Sequence, residues 1–138
     1  MIVASRGPMS AFARVTLWVL VATFASLAAS CGREGPGVLT VTVTAQEALG
    51  AVSLEVVGPG VSGFQGVGST EAYGNVVSAR EGRHRVVIVD PTSGAQLRFG
   101  IRLEDVSGQW PTLRVVSAAG TDDLERMNAD IEVSLARE

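Results

Sequence analysis

The sequence predicts an all-β fold, an antiparallel two-sheet sandwich of about seven short strands after a cleaved N-terminal signal helix. Three observations support this fold class. Apolar and polar residues alternate with a period of two in several segments. Clusters of Gly, Pro, Asp and Ser separate those segments, as turns do. Residues 38–138 also have the length and the apolar content of one folded domain.

Residues 1–30 have the composition of an export signal. Arg6 and Arg14 are their only charged residues, and none follows between Val15 and Ser30. A basic start, an apolar centre and an end of small residues are typical of a signal peptide. The uncharged run is about 16 residues long, shorter than the roughly 20 that a spanning helix needs. Translation from Met9 instead of Met1 would retain Arg14 and the whole uncharged run.

The end of this segment suggests lipidation. Residues 27–31 read Leu-Ala-Ala-Ser-Cys, which resembles the lipobox of bacterial lipoproteins, although Ala28 stands where that family most often has Leu. The resemblance implies that Cys31 carries a diacylglyceryl thioether. It also implies that cleavage makes Cys31 the first residue, whose new amino group is often acylated. The alternative is an ordinary secretory signal followed by a chance or buried Cys.

The same resemblance implies where the protein resides. Two or more acyl chains hold a protein firmly on a membrane, at about 0.8 kcal/mol for each buried CH2. We therefore predict an exported protein anchored by lipid to a bacterial membrane. Gly32 replaces the Asp that can retain lipoproteins at the inner membrane, which favours the outer membrane in a cell that has two. Residues 31–37 form a tether that reaches about 20 Å when extended.

The domain over residues 38–138 contains the alternating segments. The segment 86–89 is apolar on both sides and indicates a central strand. Phe99 belongs to the buried side of its strand, whereas the strand over 75–79 has a weaker pattern. The predicted strands are 39–44, 52–56, 75–79, 86–89, 97–103, 113–118 and 131–135.

The segments between these strands predict turns, one loop and one short helix. Turn residues lie at 58–60, 81–82, 90–94 and 107–108. Six glycines between Gly58 and Gly74 predict a mobile loop, because glycine weakens strands through backbone entropy. Residues 122–128 have a helical pattern of about two turns.

The strand-and-turn pattern resembles that of cohesin-type β-sandwich modules. Residues 49–54 (LGAVSL) and 97–99 (LRF) carry the resemblance. Such modules bind proteins in bacterial surface assemblies, which implies a similar role here. The pattern contains no motif, so no functional residue is carried over, and this chain is short for that family.

The composition excludes several kinds of chemistry. One Cys permits no internal disulfide, and all 11 basic residues are Arg, which excludes a phosphate-loop lysine or a Schiff base. Removal of Arg6 and Arg14 makes the chain more acidic than its net charge of −3, which argues against nucleic acid as a partner. No cofactor is expected.

We therefore predict a non-enzymatic binding or assembly module of the cell envelope, with a protein or a glycan as its partner. The alternative hypothesis is a small envelope hydrolase, or an accessory subunit of one. In that case His84, the only His, would need a Ser and an Asp from distant loops, because the sequence contains no G-x-S-x-G motif. Otherwise His84 is a solvated strand residue beside two arginines.

Aromatic residues supply the candidate contacts with a ligand or partner. Trp110 and Tyr73 are the first candidates, and Phe64 lies with Tyr73 in the glycine-rich segment. Phe64 and Tyr73 are expected to be at least partly accessible. Trp110 has an alternative role as a plug at one end of the sandwich, since a lone Trp is usually highly buried.

An acidic cluster is the weaker candidate for a metal site. Asp122, Asp123, Asn128 and Asp130 offer oxygen ligands of the kind that Ca2+ prefers, and Asp105 is a further candidate. Their spacing does not match a calcium-binding helix–loop–helix. A solvated acidic turn, with Asp122 capping the short helix, is the favoured interpretation, so no metal is predicted.

Overall fold

The computed structural model describes residues 35–126 and 130–137. The predicted signal segment and Cys31 therefore lie outside the described residues. Within the described ranges, no helix has the length and apolar character needed to cross a membrane.

The described residues confirm the all-β fold. Every regular element is a strand, and the strands are antiparallel and belong to one continuous sheet. Division into two separate sheets is not confirmed. The strands are β1 (Gly37–Val57), β2 (Val61–Gly66), β3 (Glu71–Ser78), β4 (Arg83–Leu103), β5 (Thr112–Gly120), β6 (Glu125–Arg126) and β7 (Ile131–Arg137).

Two long strands organise the sheet. β1 and β4 have 21 residues each, and each pairs with different neighbours along its two halves. Residues 37–45 of β1 and 96–103 of β4 lie between β7 and β2, and we call these strands the first half-sheet. Residues 49–57 of β1 and 83–89 of β4 lie between β5 and β3, and these strands form the second half-sheet.

Register shifts join the two half-sheets within single strands. In β1 the shifts lie between Thr44 and Leu49 and between Leu49 and Ala51. An irregularity of this kind changes which face alternate residues occupy, so one strand can supply odd-numbered residues and then even-numbered residues to the same core. The predicted strands 39–44 and 52–56 are therefore parts of β1. The segments 86–89 and 97–103 are likewise parts of β4.

One apolar core lies under both half-sheets. Phe99 is fully buried, as its position in the alternation predicts. Since the cluster draws side chains from both half-sheets, the sheet folds around its own core. The buried members of this cluster are Leu39, Val41, Val43, Leu49, Val52, Leu54, Val56, Val86, Ile88, Leu97, Phe99, Ile101, Leu103, Val106 and Ala118.

The predicted turn at 90–94 is wrong, because these residues continue β4 through its irregular centre. Asp90 is buried there and accepts hydrogen bonds from the Thr92 amide at 2.8 Å and from the Ser69 hydroxyl at 3.1 Å. These bonds, first those from Thr92, lower the pKa of Asp90 below its ordinary value. The carboxylate thus ties the centre of β4 to the segment between β2 and β3.

The predicted loop at Gly58–Gly74 is also wrong, since this segment contains β2 and the first half of β3. Gly60 and Gly68 each have a φ of +69°, a turn conformation that glycine adopts without strain. At Gly66 a Cβ atom would overlap the Thr70 carbonyl oxygen. The glycines therefore permit tight turns and a close backbone approach between two ordered strands.

The predicted helix at 122–128 is contradicted over its described part. Residues 121–123 form a turn that leads into β6, which pairs with β5. The Gly120 amide donates to the Leu124 carbonyl at 2.9 Å, and Asp123 has a φ of +59°. Asp122 accepts from the Leu124 amide within this turn rather than capping a helix. Residues 127–129 lie outside the described ranges.

Candidate binding surface

The outer face of the second half-sheet presents two rows of small and apolar side chains. Directly opposed residues of antiparallel strands lie on the same face, so the register defines each row across β3, β4, β1 and β5. The rows are Tyr73–Val87–Ser53–Ser117 and Glu71–Val89–Ala51–Ala119.

Two neighbouring large apolar residues of the first row are exposed to solvent. Tyr73 is 59% exposed and Val87 is 38% exposed. Val77, also on β3, is 55% exposed, whereas Val76 lies opposite His84 in the row of the buried Val56 and belongs to the other face. Contiguous apolar exposure of this kind marks an interaction surface more often than isolated exposed side chains do.

A shallow hollow lies within the two rows. Its volume is about 390 Å³. Asp123 and Glu125, from the turn before β6 and from β6 itself, add carboxylates at its border. The hollow therefore combines a floor of small and apolar groups with negative charge. The remaining lining residues are Ala51, Val52, Ser53, Val87, Ser117, Ala118 and Ala119.

A row of charged residues borders the apolar rows on the same face. Glu55 lies between two arginines, with its carboxylate 3.2 Å from Arg114 and 3.8 Å from Arg85. The Glu55 side chain is only 13% exposed. Partly exposed ion pairs contribute little stability, so the main effect of this row is to order the side chains beside the hollow.

Tyr73 and Trp110, the first two predicted contact residues, belong to different parts of the structure. The Tyr73 hydroxyl donates a hydrogen bond to Glu71, and this bond together with the Glu71 charge raises the pKa of Tyr73. Trp110 lies between β4 and β5, where its indole Nε1 donates to the Val106 carbonyl at 3.1 Å. Trp110 is 37% exposed, so its roles as a contact and as an end plug both stay predictions.

Phe64, the third predicted contact residue, packs against the core. Its ring lies over Gly74, where a Cβ atom would overlap it, and it meets His84 edge to face at 5.8 Å between centroids. Phe64 is partly buried, in agreement with the expected partial accessibility. Phe64 lies on β2 opposite the buried Ile101, on the core side of the sheet, so it does not belong to the two apolar rows.

His84, the residue on which the hydrolase hypothesis depends, lines two hollows of about 700 and 320 Å³. Ser62 lines the smaller hollow, but its hydroxyl donates to the Arg102 carbonyl at 3.2 Å. Glu81 lines the larger one and pairs with Arg83 at 3.1 Å. Among the described residues, no hydrogen bond joins His84 to a serine or a carboxylate.

The acidic residues of the weaker metal hypothesis have separate partners. Asp122 binds Arg126 through both carboxylate oxygens, at 3.0 and 3.1 Å, and the pKa of Asp122 is lowered chiefly by that bond. Asp105 accepts from Ser107 and Gly35, which lowers its pKa. Over 35–126 and 130–137, no three His, Cys, Asp or Glu residues come close enough to hold a metal. Asn128 lies outside these ranges.

The sequence contained one signal for this surface. The segment 86–89 is apolar on both faces, which predicts a strand buried on both sides. The strand is central in the sheet, as predicted, but Val87 is exposed on the outer face. The apolar residues on both faces of this strand therefore indicated an exposed apolar surface, and not a second layer packed against the outer face.

Comparison of this chain with protein-family models, with curated proteins and with solved structures gives no match.

Proposed function

We propose that this protein is a non-catalytic binding module of the bacterial cell envelope, anchored by lipid at Cys31. Its binding surface is the outer face of the second half-sheet. The observation that carries the proposal is the hollow at Val87, Ser53 and Ser117, which no segment of the described residues covers. The lipid anchor rests on the sequence of residues 27–31.

The chemistry of the surface favours a protein partner. Small and apolar side chains form its floor, and Asp123 and Glu125 place negative charge at its border. An apolar side chain flanked by Lys or Arg on the partner would complement both properties. A glycan would instead need several exposed aromatic rings, and Tyr73 is the only aromatic residue in the two rows.

The surroundings of His84 do not favour the hydrolase alternative. General-base catalysis needs the nucleophile and the base within hydrogen-bonding reach, with a third group that orients the base. The His84 ring contacts the Phe64 ring edge to face, and the Ser62 hydroxyl donates to a backbone carbonyl. The binding role is therefore the better supported of the two.

Metabolic labelling with a fatty acid tests the anchor. The wild-type chain should incorporate the label, and Cys31→Ser should abolish it, because the thioether forms on that sulfur. Retention of the label by Cys31→Ser, or a mature N-terminus at another residue, would contradict lipidation at Cys31.

Site-specific photo-crosslinking tests the binding surface. A photoreactive side chain at Ser117 should give one discrete adduct in membranes, whereas one at Ser134, on the outer face of the first half-sheet, should give none. Val87→Arg should abolish the Ser117 adduct, since it replaces an apolar contact with a charge that repels a basic partner. Equal adducts at Ser117 and Ser134 would exclude a specific surface.

A further inference from the structure

Three connections between strands meet at one end of the described domain. The Gly58 amide donates to the Gly82 carbonyl at 3.1 Å, and the Glu104 amide donates to the Gly60 carbonyl at 2.8 Å. Pro111 lies against Gly58, where a Cβ atom would overlap it. These contacts bring together the turn between β1 and β2, the turn between β3 and β4, and the connection between β4 and β5.

Gly35, the first described residue, is fixed at the same end beside Trp110. The Val106 amide donates to the Gly35 carbonyl at 3.0 Å, and the Val106 carbonyl accepts from Trp110 Nε1 at 3.1 Å. The Gly35 amide also donates to the Asp105 carboxylate at 3.2 Å. One buried residue, Val106, therefore holds both Gly35 and the indole. We call this part of the domain the tethered end, and it contains residues 35–37, 58–60, 79–82 and 104–111.

The length of the tether limits how far this end can lie from a lipid on Cys31. Cys31 precedes Gly35 by four residues. Four residues of fully extended chain span at most about 14 Å. A lipid attached at Cys31 therefore keeps the tethered end, and Trp110 with it, close to the surface of the bilayer.

Trp110 has the properties of a residue at a lipid–water interface. It is 37% exposed and is the only aromatic residue of the tethered end. Because its N–H is already bound to Val106, the ring can enter an apolar environment without leaving that donor unpaired. Tryptophan is enriched where the headgroups of a bilayer meet its hydrocarbon. Pro59 and Val76, which line the hollow of about 700 Å³ at this end, add exposed apolar surface.

The charges at this end are balanced, so they select neither anionic nor cationic lipid. Three are basic and three are acidic in the tethered end and at the strand ends that adjoin it, and one pair of them, Arg83 and Glu81, is 3.1 Å apart. These residues are Arg80, Glu81, Arg83, Glu104, Asp105 and Arg137. A contact with lipid here depends on the apolar ring of Trp110 rather than on headgroup charge.

We propose that the tethered end lies against the membrane and that Trp110 contacts the lipid interface. This inference rests on the proposed lipid anchor at Cys31 and adds the orientation of the domain to it. Val57 lies at the tethered end, and Ser53 is four residues further along β1, about 13 Å in a strand. The apolar rows on the outer face of the second half-sheet are thus held clear of the lipid and stay accessible to a partner.

Fluorescence quenching of the mature lipidated chain in phosphatidylcholine vesicles tests this orientation. Trp110 is its only tryptophan, because Trp18 belongs to the cleaved segment. The matched control combines Trp110→Phe with Leu124→Trp. Leu124 is 61% exposed and lies beside Gly120, at the other end of β5 from Thr112. Lipid brominated near the top of its acyl chains should quench Trp110 several-fold more strongly than the tryptophan introduced at position 124.

The outcomes distinguish this inference from the anchor on which it rests. A chain that carries the fatty-acid label but shows no quenching of Trp110, or equal quenching at both positions, would overturn the orientation and leave the anchor intact. A wild-type chain without the label would contradict the anchor and this inference with it. Addition of phosphatidylglycerol should leave the quenching of Trp110 unchanged, whereas quenching only with anionic lipid would contradict a contact made by the apolar ring.

Discussion

The two half-sheets use the same two long strands but differ on their outer faces. In the first half-sheet, β1 turns Thr42 and Thr44 outward and β4 turns Arg98 and Arg102 outward, while Thr40 on the same face is buried. In the second half-sheet, the corresponding positions of β1 are Ala51 and Ser53. The corresponding positions of β4 are Val87 and Val89.

This difference distinguishes the residues that stabilise the fold from the residues that are available for binding. Inward-facing residues are apolar in both half-sheets and belong to one buried cluster, so the fold constrains both equally. Outward-facing residues contribute nothing to that cluster. The apolar rows on the outer face of the second half-sheet, which lie beside the charged row of Glu55, are therefore not explained by the core, and we propose that they serve an interaction.

The largest expected effect concerns the shared core. Phe99→Ala should lower the free energy of unfolding by about 3–5 kcal/mol, since it empties a fully buried aromatic site. The matched control is Arg98→Ala, the exposed neighbour on the same strand, which should change it by less than about 0.5 kcal/mol. Urea denaturation followed by circular dichroism measures both. A loss below about 1 kcal/mol for Phe99→Ala would place that side chain outside the core.

The next effect concerns the close turn between β2 and β3. Gly66→Ala should lower the free energy of unfolding by about 1–3 kcal/mol, because the new methyl group meets the Thr70 carbonyl. Gly94→Ala is the control, since its Cβ would make an ordinary contact at 3.5 Å with Gln96. That variant should be unchanged or up to about 1 kcal/mol more stable. Equal tolerance at both sites would support a mobile loop instead.

A pH effect is expected at the junction of the half-sheets. The native pKa of Asp90 is lowered, so its contribution to stability is complete above the ordinary Asp pKa of about 3.9 and is lost as pH falls through the native pKa. Asp90→Asn should therefore show a weaker loss of stability on acidification than the wild type. Ser69→Ala removes one donor and should be intermediate. Identical acid dependence in all three proteins would show that this carboxylate does not stabilise the junction.

The smallest effect on stability is expected on the outer faces. Val87→Arg and Thr42→Arg should each change the free energy of unfolding by less than about 1 kcal/mol, because neither side chain belongs to the core. Thermal denaturation followed by circular dichroism measures both. A large loss in Val87→Arg alone would mean that the apolar face supports the fold, which would remove the reason to assign it to binding.

Sequence patterns predicted the strands because alternation is a local consequence of burying one face. They placed Phe99 inside and gave the bounds of β5 and β7 to within two residues, but they did not predict β2 or β6. They did not predict that β1 and β4 continue through their centres, because Asp90 and Thr92 resemble turn residues and their hydrogen bonds with Ser69 depend on a distant segment. The glycine-rich segment was misassigned for the same reason, since the close approach of Gly66 to Thr70 exists only in the folded chain.

The candidate surface was less predictable than the fold. Tyr73 was singled out from its residue type, and the structure places it at the end of an apolar row. Its neighbours in that row, Val87, Ser53 and Ser117, come from three other strands. Their proximity depends on the register across the sheet, which local alternation does not specify.

The central claim is that a partner covers the outer face of the second half-sheet and leaves that of the first half-sheet free. Cysteine accessibility tests this claim directly, with Ser53→Cys and Ser134→Cys as the matched pair and the wild type as background. Maleimide labelling should be slower for Ser53→Cys in isolated membranes than in detergent-purified protein, and equal in both for Ser134→Cys. If Ser53→Cys reacts equally fast in membranes and in purified protein, the outer face of the second half-sheet is not a binding surface.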